Sequence, residues 1–204
     1  MTFPAGLPKT AIPSRIEDYF AKINKVCAAA SVSDLTGQAM DLDAGFDHVA
    51  HQARVCHASG NSVFFIGNGG SASIASHQAI DYARNGGIRA RALNESATLT
   101  CLGNDFGYEH VFSRQLEIQG RPGDMLVAVS SSGQSQNILN GVTAARAHSM
   151  AVATFSGFRP DNRLRALGDW NFYVDSDHYG FVEIAHLTLI HAILDTRIIA
   201  TGSE

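Results

Sequence analysis

The sequence contains few of the residue patterns that mark secreted, membrane-spanning or nucleic-acid-binding proteins. Its three cysteines, Cys27, Cys56 and Cys101, lack C-x-x-C spacing, which predicts reduced thiols rather than a disulfide framework or a zinc ribbon. No apolar run approaches the roughly 20 residues that a membrane-spanning helix needs. Lysine and arginine are not clustered and the formal charge is −4, which argues against a nucleic-acid surface.

The first residues also lack the basic and apolar segments of a secretory signal peptide, so we expect a cytoplasmic protein. The chain has 204 residues, 45% of them hydrophobic, which is enough for one sizeable core. Residues 1–13 hold three of the five prolines and are expected to form an N-terminal arm. We expect residues 14–204 to form a single domain.

Strands and helices are predicted to alternate from residue 62 onward, behind two helices at about residues 14–29 and 35–58. The first helix follows a capping-box pattern at Ser14. Strands are predicted at residues 62–66, 88–93, 124–129, 150–155 and 170–174, and helices from the glycine turn to about 84, then at 108–119, 136–147 and 183–200. This alternation predicts a parallel sheet covered by helices on both faces, which is a three-layered α/β fold.

Two polar loops follow predicted strands at the points where helices begin. The first is Gly67-Asn68-Gly69-Gly70-Ser71, and the second is Ser130-Ser131-Ser132-Gly133-Gln134-Ser135. Glycines allow the backbone to approach a ligand closely, and helix starts present free N–H groups and a positive dipole end. Because ligands bind beyond the carboxyl ends of parallel strands, the two loops predict a site for a phosphate monoester.

Simpler interpretations of the two loops remain open at this point. Each loop by itself can be a tight turn with a capping serine. The first loop also fits the dinucleotide pattern G-x-G-x-x-A, with Glu95 as a possible ribose partner. That pattern explains neither the serine loop nor the pair of His77 and Asp81. The absence of a lysine in the glycine turn argues against a nucleoside triphosphate site.

His77 and Asp81 stand four residues apart on the helix that follows the glycine turn. This spacing places both side chains on one helix face, roughly 6 Å apart, where they can share a metal ion. A surface hydrogen bond between them is the simpler alternative. The adjacent anion loop favours a metal or a proton-transfer site.

Four ordered motifs resemble the SIS (sugar isomerase) domain family, and within it the phosphoheptose isomerases. They are GNGGSASIASHQAID, GNDFG at residues 103–107, SSSGQS at 130–135 and EIAHLTLIH at 183–191. The resemblance runs in order from about residue 35 to 200. It implies a three-layer αβα sandwich with a five-stranded parallel sheet, a homotetramer and active sites at subunit interfaces.

The resemblance also implies roles for individual residues. It places substrate contacts at Asn68, Gly69, Gly70, Ser71, Asn104, Asp105, Ser130, Ser131, Ser132 and Ser135, with the serines cradling a phosphate. It places a zinc or similar divalent ion on His77, Asp81, Glu183 and His191, with Asp81, Glu183 and His191 also catalytic. The family has glutamate where Asp81 stands and glutamine where Glu183 stands, and all four side chains present remain competent zinc ligands.

Glu183 and His191 pose a geometric problem, because eight helical residues rise roughly 12 Å. Either Glu183 precedes the regular helix, or different subunits complete the site. We therefore expect one active site to take His77 and His191 from different subunits. Mixing inactive His77→Ala and His191→Ala chains should then restore partial activity. His186, three residues from Glu183, is expected to be structural.

The implied reaction is aldose–ketose isomerisation of sedoheptulose 7-phosphate to D-glycero-D-manno-heptose 7-phosphate, a heptose precursor for lipopolysaccharide or capsule. Such a reaction needs a base, an acid and stabilisation of an enediolate. Two alternatives remain: an isomerase of another phosphosugar, and a non-catalytic SIS-domain binding protein of the replication-initiator-associating type.

Overall fold

The computed structural model describes residues 11–200, and these contain seven helices and seven strands. The helices are α1 (Ile16–Ala28), α2 (Leu42–Ala58), α3 (Gly70–Arg84), α4 (Ser96–Phe106), α5 (Val111–Gln119), α6 (Gln136–Ala147) and α7 (Tyr179–Ile193). The strands are β1 (Ser31–Asp34), β2 (Ala39–Met40), β3 (Val63–Ile66), β4 (Ala90–Ala92), β5 (Met125–Ser130), β6 (Ala151–Gly157) and β7 (Trp170–Val174). Short 3₁₀ segments lie at Tyr108–His110 and Arg163–Ala166, and α7 continues into a π-helical segment at Leu194–Ile199.

All seven strands join one sheet in the order β2-β1-β7-β6-β5-β3-β4. The five strands from β3 to β7 are parallel, whereas β1 runs antiparallel to both β7 and β2. The predicted α/β class is confirmed. The sheet nevertheless has seven strands rather than the expected five, because an antiparallel hairpin extends one edge of the parallel sheet.

The turn and the second strand of this hairpin occupy residues that the sequence pattern assigned to the start of the second helix. One carboxylate oxygen of Asp34 accepts hydrogen bonds from the backbone N–H groups of Thr36 and Gln38, at 2.8 and 2.9 Å. Gly37 then takes a positive φ of 83° to complete the turn. The helix starts only at Leu42, where the Asp41 side chain caps it by accepting from two backbone N–H groups.

Alternate residues of the strands enter two separate hydrophobic clusters, one on each face of the sheet. In β3, Val63 and Phe65 pack into the cluster that α2, α3 and α7 cover, whereas Phe64 and Ile66 pack into the cluster beneath α5 and α6. All four of these side chains are fully buried. Successive side chains of a strand point to opposite faces of the sheet and fill the hydrophobic cluster on each face. The result is the predicted three-layered arrangement.

The starts of α1 and α4 also differ from the sequence prediction. The first helix begins at Ile16 with Arg15 at the N-cap and no side-chain cap bond, so the capping box expected at Ser14 does not form. Helix α4 was not predicted. Its N-cap is Glu95, whose carboxylate accepts from the N–H groups of Ala97 and Thr98 at 3.0 and 2.7 Å. Glu95 is therefore a capping residue in this fold.

The predicted N-terminal arm, residues 1–13, lies mostly outside the described residues, as do residues 201–204 of the predicted domain. Among residues 11–200, none of the helices combines the length and the apolar character that a bilayer crossing requires. Cys27, Cys56 and Cys101 are all free thiols.

Candidate active site

The glycine turn connects β3 to α3 at the carboxyl edge of the sheet. Gly69 occupies the N-cap position with a φ of +54°, a conformation that favours glycine. A Cβ on Gly67 would collide with the carbonyl oxygen of Ser71, so the turn closes only because Gly67 has none. The turn and the first residue of the helix thus carry no side chains of their own over these N–H groups, as an anion site requires.

The serine loop connects β5 to α6 at the same edge of the sheet. Ser131 has a buried hydroxyl oxygen with no hydrogen-bond partner among the described residues. Ser135 is the N-cap of α6 but makes no side-chain cap bond, so its hydroxyl is also available. Buried hydroxyls in proteins are normally paired, and the Ser131 hydroxyl therefore indicates a polar ligand at the loop.

A cavity of about 230 Å³ lies between the two loops and the first two turns of α7. Its lining includes eight of the predicted substrate-binding residues together with Glu183 and Tyr179: Asn68, Gly69, Gly70, Ser71, Ser130, Ser131, Ser132 and Ser135. No lysine or arginine of residues 11–200 belongs to this lining. A phosphate here would be held by hydroxyls, backbone N–H groups and helix dipoles rather than by a cationic side chain.

Glu183 reaches into this cavity from α7. Its carboxyl group packs so closely on Gly70 that a Cβ there would collide with it. Burial raises the pKa of Glu183 above its usual range. The side chain therefore faces the start of α3 rather than the group of histidines farther along the helices.

Asn68 joins the two loops through a reciprocal pair of amide hydrogen bonds with Asn137, the second residue of α6. The Asn68 Nδ2 group donates to Asn137 Oδ1 at 2.8 Å, and Asn137 Nδ2 donates to Asn68 Oδ1 at 2.9 Å. The Tyr108 hydroxyl also donates to Asn68 Oδ1, at 3.0 Å. The sequence prediction missed Asn137 and Tyr108, because neither lies within a motif that suggests such a contact.

His77, Asp81 and His191 form a compact group between α3 and α7. The Asp81 Oδ2 atom lies 3.3 Å from His77 Nε2 and 3.8 Å from His191 Nε2. One potential ligand atom from each residue lies within 4.8 Å of the others. Two imidazole nitrogens and one carboxylate oxygen match the three protein ligands of a catalytic zinc site, so the residues present fit this ion.

The structure separates Glu183 from this group and corrects two expectations. Helix α7 starts at Tyr179, so Glu183 lies within regular helix and does not precede it. His191 then lies roughly 12 Å farther along the helix axis. His77 and His191 meet within one chain, which corrects the expectation that different subunits supply them.

Asn104 and Asp105 lie at the exposed end of α4, outside the lining of the cavity. Asn104 Nδ2 donates to Asp105 Oδ1 at 2.9 Å, and the Cys101 thiol contacts the other carboxylate oxygen of Asp105 at 3.7 Å. The chain does not bring this pair to the phosphate cavity, and its contact with substrate stays a prediction.

Comparison with known proteins shows the family of this chain. Residues 18–157 match the family model described as the SIS domain. The phosphoheptose isomerase of Serratia proteamaculans is 35% identical over 173 residues, covering 79% of this chain and 88% of that protein. The phosphoheptose isomerase of Paramagnetospirillum magneticum is 35% identical over 144 residues, covering 68% of this chain and 74% of that protein.

Solved structures of phosphoheptose isomerases are also similar to this chain. The phosphoheptose isomerase of Neisseria gonorrhoeae superposes with a TM-score of 0.74 at 31% identity, covering 89% of this chain and 97% of that one. That of Francisella tularensis superposes with a TM-score of 0.77 at 26% identity, covering 91% and 96%. The predicted resemblance and fold are therefore confirmed.

Proposed function

Because the chain belongs to the SIS domain family and has phosphoheptose isomerases among its relatives, we propose that it interconverts sedoheptulose 7-phosphate and D-glycero-D-manno-heptose 7-phosphate. The relatives bear out the isomerase class predicted from the sequence. The observation that carries the proposal is the cavity between the glycine turn and the serine loop, with the His77, Asp81 and His191 group beyond it on the same two helices.

The spacing of the two sites supports a long substrate. Seven residues of α3 separate Gly70 from His77, a rise of roughly 10 Å, and the step from Glu183 to His191 along α7 is roughly 12 Å. An extended seven-carbon chain with a terminal phosphate spans roughly 10 Å at bond lengths near 1.5 Å. A phosphate at the serine loop then leaves the other end of a heptose near the histidines.

The serine loop would hold the phosphate and orient the sugar. The hydroxyls of Ser131 and Ser135 are free to donate to phosphate oxygens, and the starts of α3 and α6 add N–H groups. Asn137 and Tyr108 keep Asn68 in place between the two loops. Binding energy from the remote phosphate thus serves to position the reacting carbons.

Zinc would be held by His77, Asp81 and His191, and when bound it supplies a Lewis acid for a carbonyl oxygen. We assign the proton that moves between C1 and C2 to His191 acting with the Asp81 carboxylate. Glu183 lies too far along α7 to reach the same proton. Its carboxyl group would instead hydrogen-bond to a hydroxyl group of the sugar chain.

The proposal also includes a cytoplasmic homotetramer. Three free cysteines suit a reducing compartment. Large apolar side chains are exposed on α1, α3 and α7, namely Ile16 at 64%, Phe20 at 61%, Ile80 at 58% and Ile184 at 36%, and these support self-association. Light scattering should give about four times the chain mass of 21.8 kDa, and a monomer in solution would contradict this part.

Two matched isosteric variants test the assignment of roles. Asp81→Asn should lower kcat on sedoheptulose 7-phosphate by roughly 10²- to 10⁴-fold and leave inhibition by inorganic phosphate unchanged. Glu183→Gln should keep most of kcat and alter KM. Ketose phosphates of five and six carbons, assayed in parallel, test the alternative of another phosphosugar. Binding without turnover of any of them would favour the non-catalytic alternative.

A further inference from the structure

Tyr179 lines the phosphate cavity, although no sequence motif singled it out. It is the first residue of α7 and stands four residues before Glu183, so the two side chains share one face of the helix. Its side chain is large and 61% exposed, which places it at the mouth of the cavity rather than in its floor.

The ring of Tyr179 is held by Phe158, the residue that follows β6. The two rings meet edge to face with their centroids 4.8 Å apart. Phe158 has a φ of +61°, which is an unfavourable conformation for a bulky residue. Its backbone is held on both sides, since its N–H donates to the Ser176 carbonyl at 2.9 Å and its carbonyl accepts from the Tyr173 hydroxyl at 3.1 Å.

The hydroxyl of Tyr179 differs from those of the neighbouring tyrosines. Tyr108 donates to Asn68, and Tyr173 donates to the Phe158 carbonyl. Within residues 11–200, the Tyr179 hydroxyl has no such partner. A ring fixed at a cavity mouth with a free hydroxyl offers an apolar face for C–H groups and one hydrogen bond for a sugar hydroxyl.

We propose that Tyr179 binds the sugar chain of the phosphosugar and helps to select it, while the serine loop binds the phosphate. This inference rests on the proposed function for the identity of the ligand. Phe158 acts as a positioning residue, because it holds the ring of Tyr179 over the cavity.

The test compares the binding of sedoheptulose 7-phosphate with that of inorganic phosphate by calorimetry, on metal-free protein that does not turn over. Tyr179→Phe should raise the dissociation constant for the sugar phosphate by roughly 2- to 10-fold, the loss expected for one neutral hydrogen bond. Tyr179→Ala should raise it further. The dissociation constant for inorganic phosphate should stay within twofold of wild type in both variants.

Phe158→Gly supplies a second variant that separates positioning from folding. Glycine relieves the positive φ but also removes a ring that packs against the core, so binding of inorganic phosphate serves as the control for folding. We expect Phe158→Gly to bind inorganic phosphate as wild type does and the sugar phosphate more weakly. Equal weakening of both ligands in Tyr179→Phe would make Tyr179 a phosphate ligand and overturn the proposal. Unchanged binding in Tyr179→Ala would overturn it as well. Binding by zinc-loaded wild type without isomerisation would refute only the proposed function.

Discussion

His186 should make the stability of the protein fall as the pH drops below neutrality. The side chain is fully buried, with its ring edge against Phe155, and its Nε2 atom lies 3.1 Å from the Ser156 carbonyl oxygen. Its Nδ1 atom has no hydrogen-bond partner among the described residues. Protonation would therefore place a charge and an unpaired N–H group inside the core, and burial accordingly lowers the pKa of His186 to about 4.

The size of the effect follows from the difference between the folded and unfolded pKa values. Above pH 6.5 the imidazole is neutral in both states, so its full contribution is present. Between pH 6.5 and 4 only the unfolded state takes up the proton, and the free energy of unfolding decreases. The loss is about 2 kcal/mol at pH 5 and about 3 kcal/mol once the pH is below 4.

Urea unfolding of metal-free protein at pH 7.5, 6 and 5 measures this loss. His186→Gln keeps an amide donor for the Ser156 carbonyl but does not titrate, so its stability should fall less between pH 7.5 and 5, by about 2 kcal/mol. His51→Gln, at an exposed position, serves as the control and should follow wild type. Parallel pH profiles for wild type and His186→Gln would refute the reasoning.

Two further predictions concern the ligands of the site. Protein purified without chelator should contain about one zinc or similar ion per chain by elemental analysis. His77→Ala should remove the ion, whereas the control His51→Ala should keep it. Wild-type protein that is active without metal would contradict this prediction. Ser132→Ala should raise KM for the phosphosugar and weaken inhibition by inorganic phosphate by roughly 10- to 150-fold, the equivalent of about 1.5–3 kcal/mol for a hydrogen bond to a charged oxygen. Ser73→Ala, on the exposed side of α3, is the control. Equal inhibition constants for phosphate in the two variants would mean that the serine loop only caps its helix and does not bind phosphate.

The parallel sheet could be predicted because its strands are buried on both faces and read as short apolar runs bounded by turns. Every residue of β3 and β5 is buried, so the signal was strong there. The hairpin of β1 and β2 was missed because its strands are short and partly exposed, and its turn depends on the side chain of Asp34. Helix α4 has no fully buried residue and therefore lacks a clear apolar stripe.

The phosphate cavity could be predicted because each of its two loops is one continuous segment of the sequence and lies at the end of a strand. The separation of Glu183 from His191 also followed from helix geometry alone. The meeting of His77 with His191 within one chain did not, because it depends on how α3 packs beside α7. Tyr179 was missed for the same reason, since only the fold brings the start of α7 to the serine loop.

Isomerisation in deuterated water tests the central claim most directly. The purified, zinc-loaded protein is incubated with sedoheptulose 7-phosphate and the products are followed by nuclear magnetic resonance. We expect an aldose 7-phosphate to form with deuterium from the solvent at C2, because proton transfer through an enediolate exposes that position to exchange. Sedoheptulose 7-phosphate that remains unchanged, with neither aldose nor deuterium incorporation, would contradict the account.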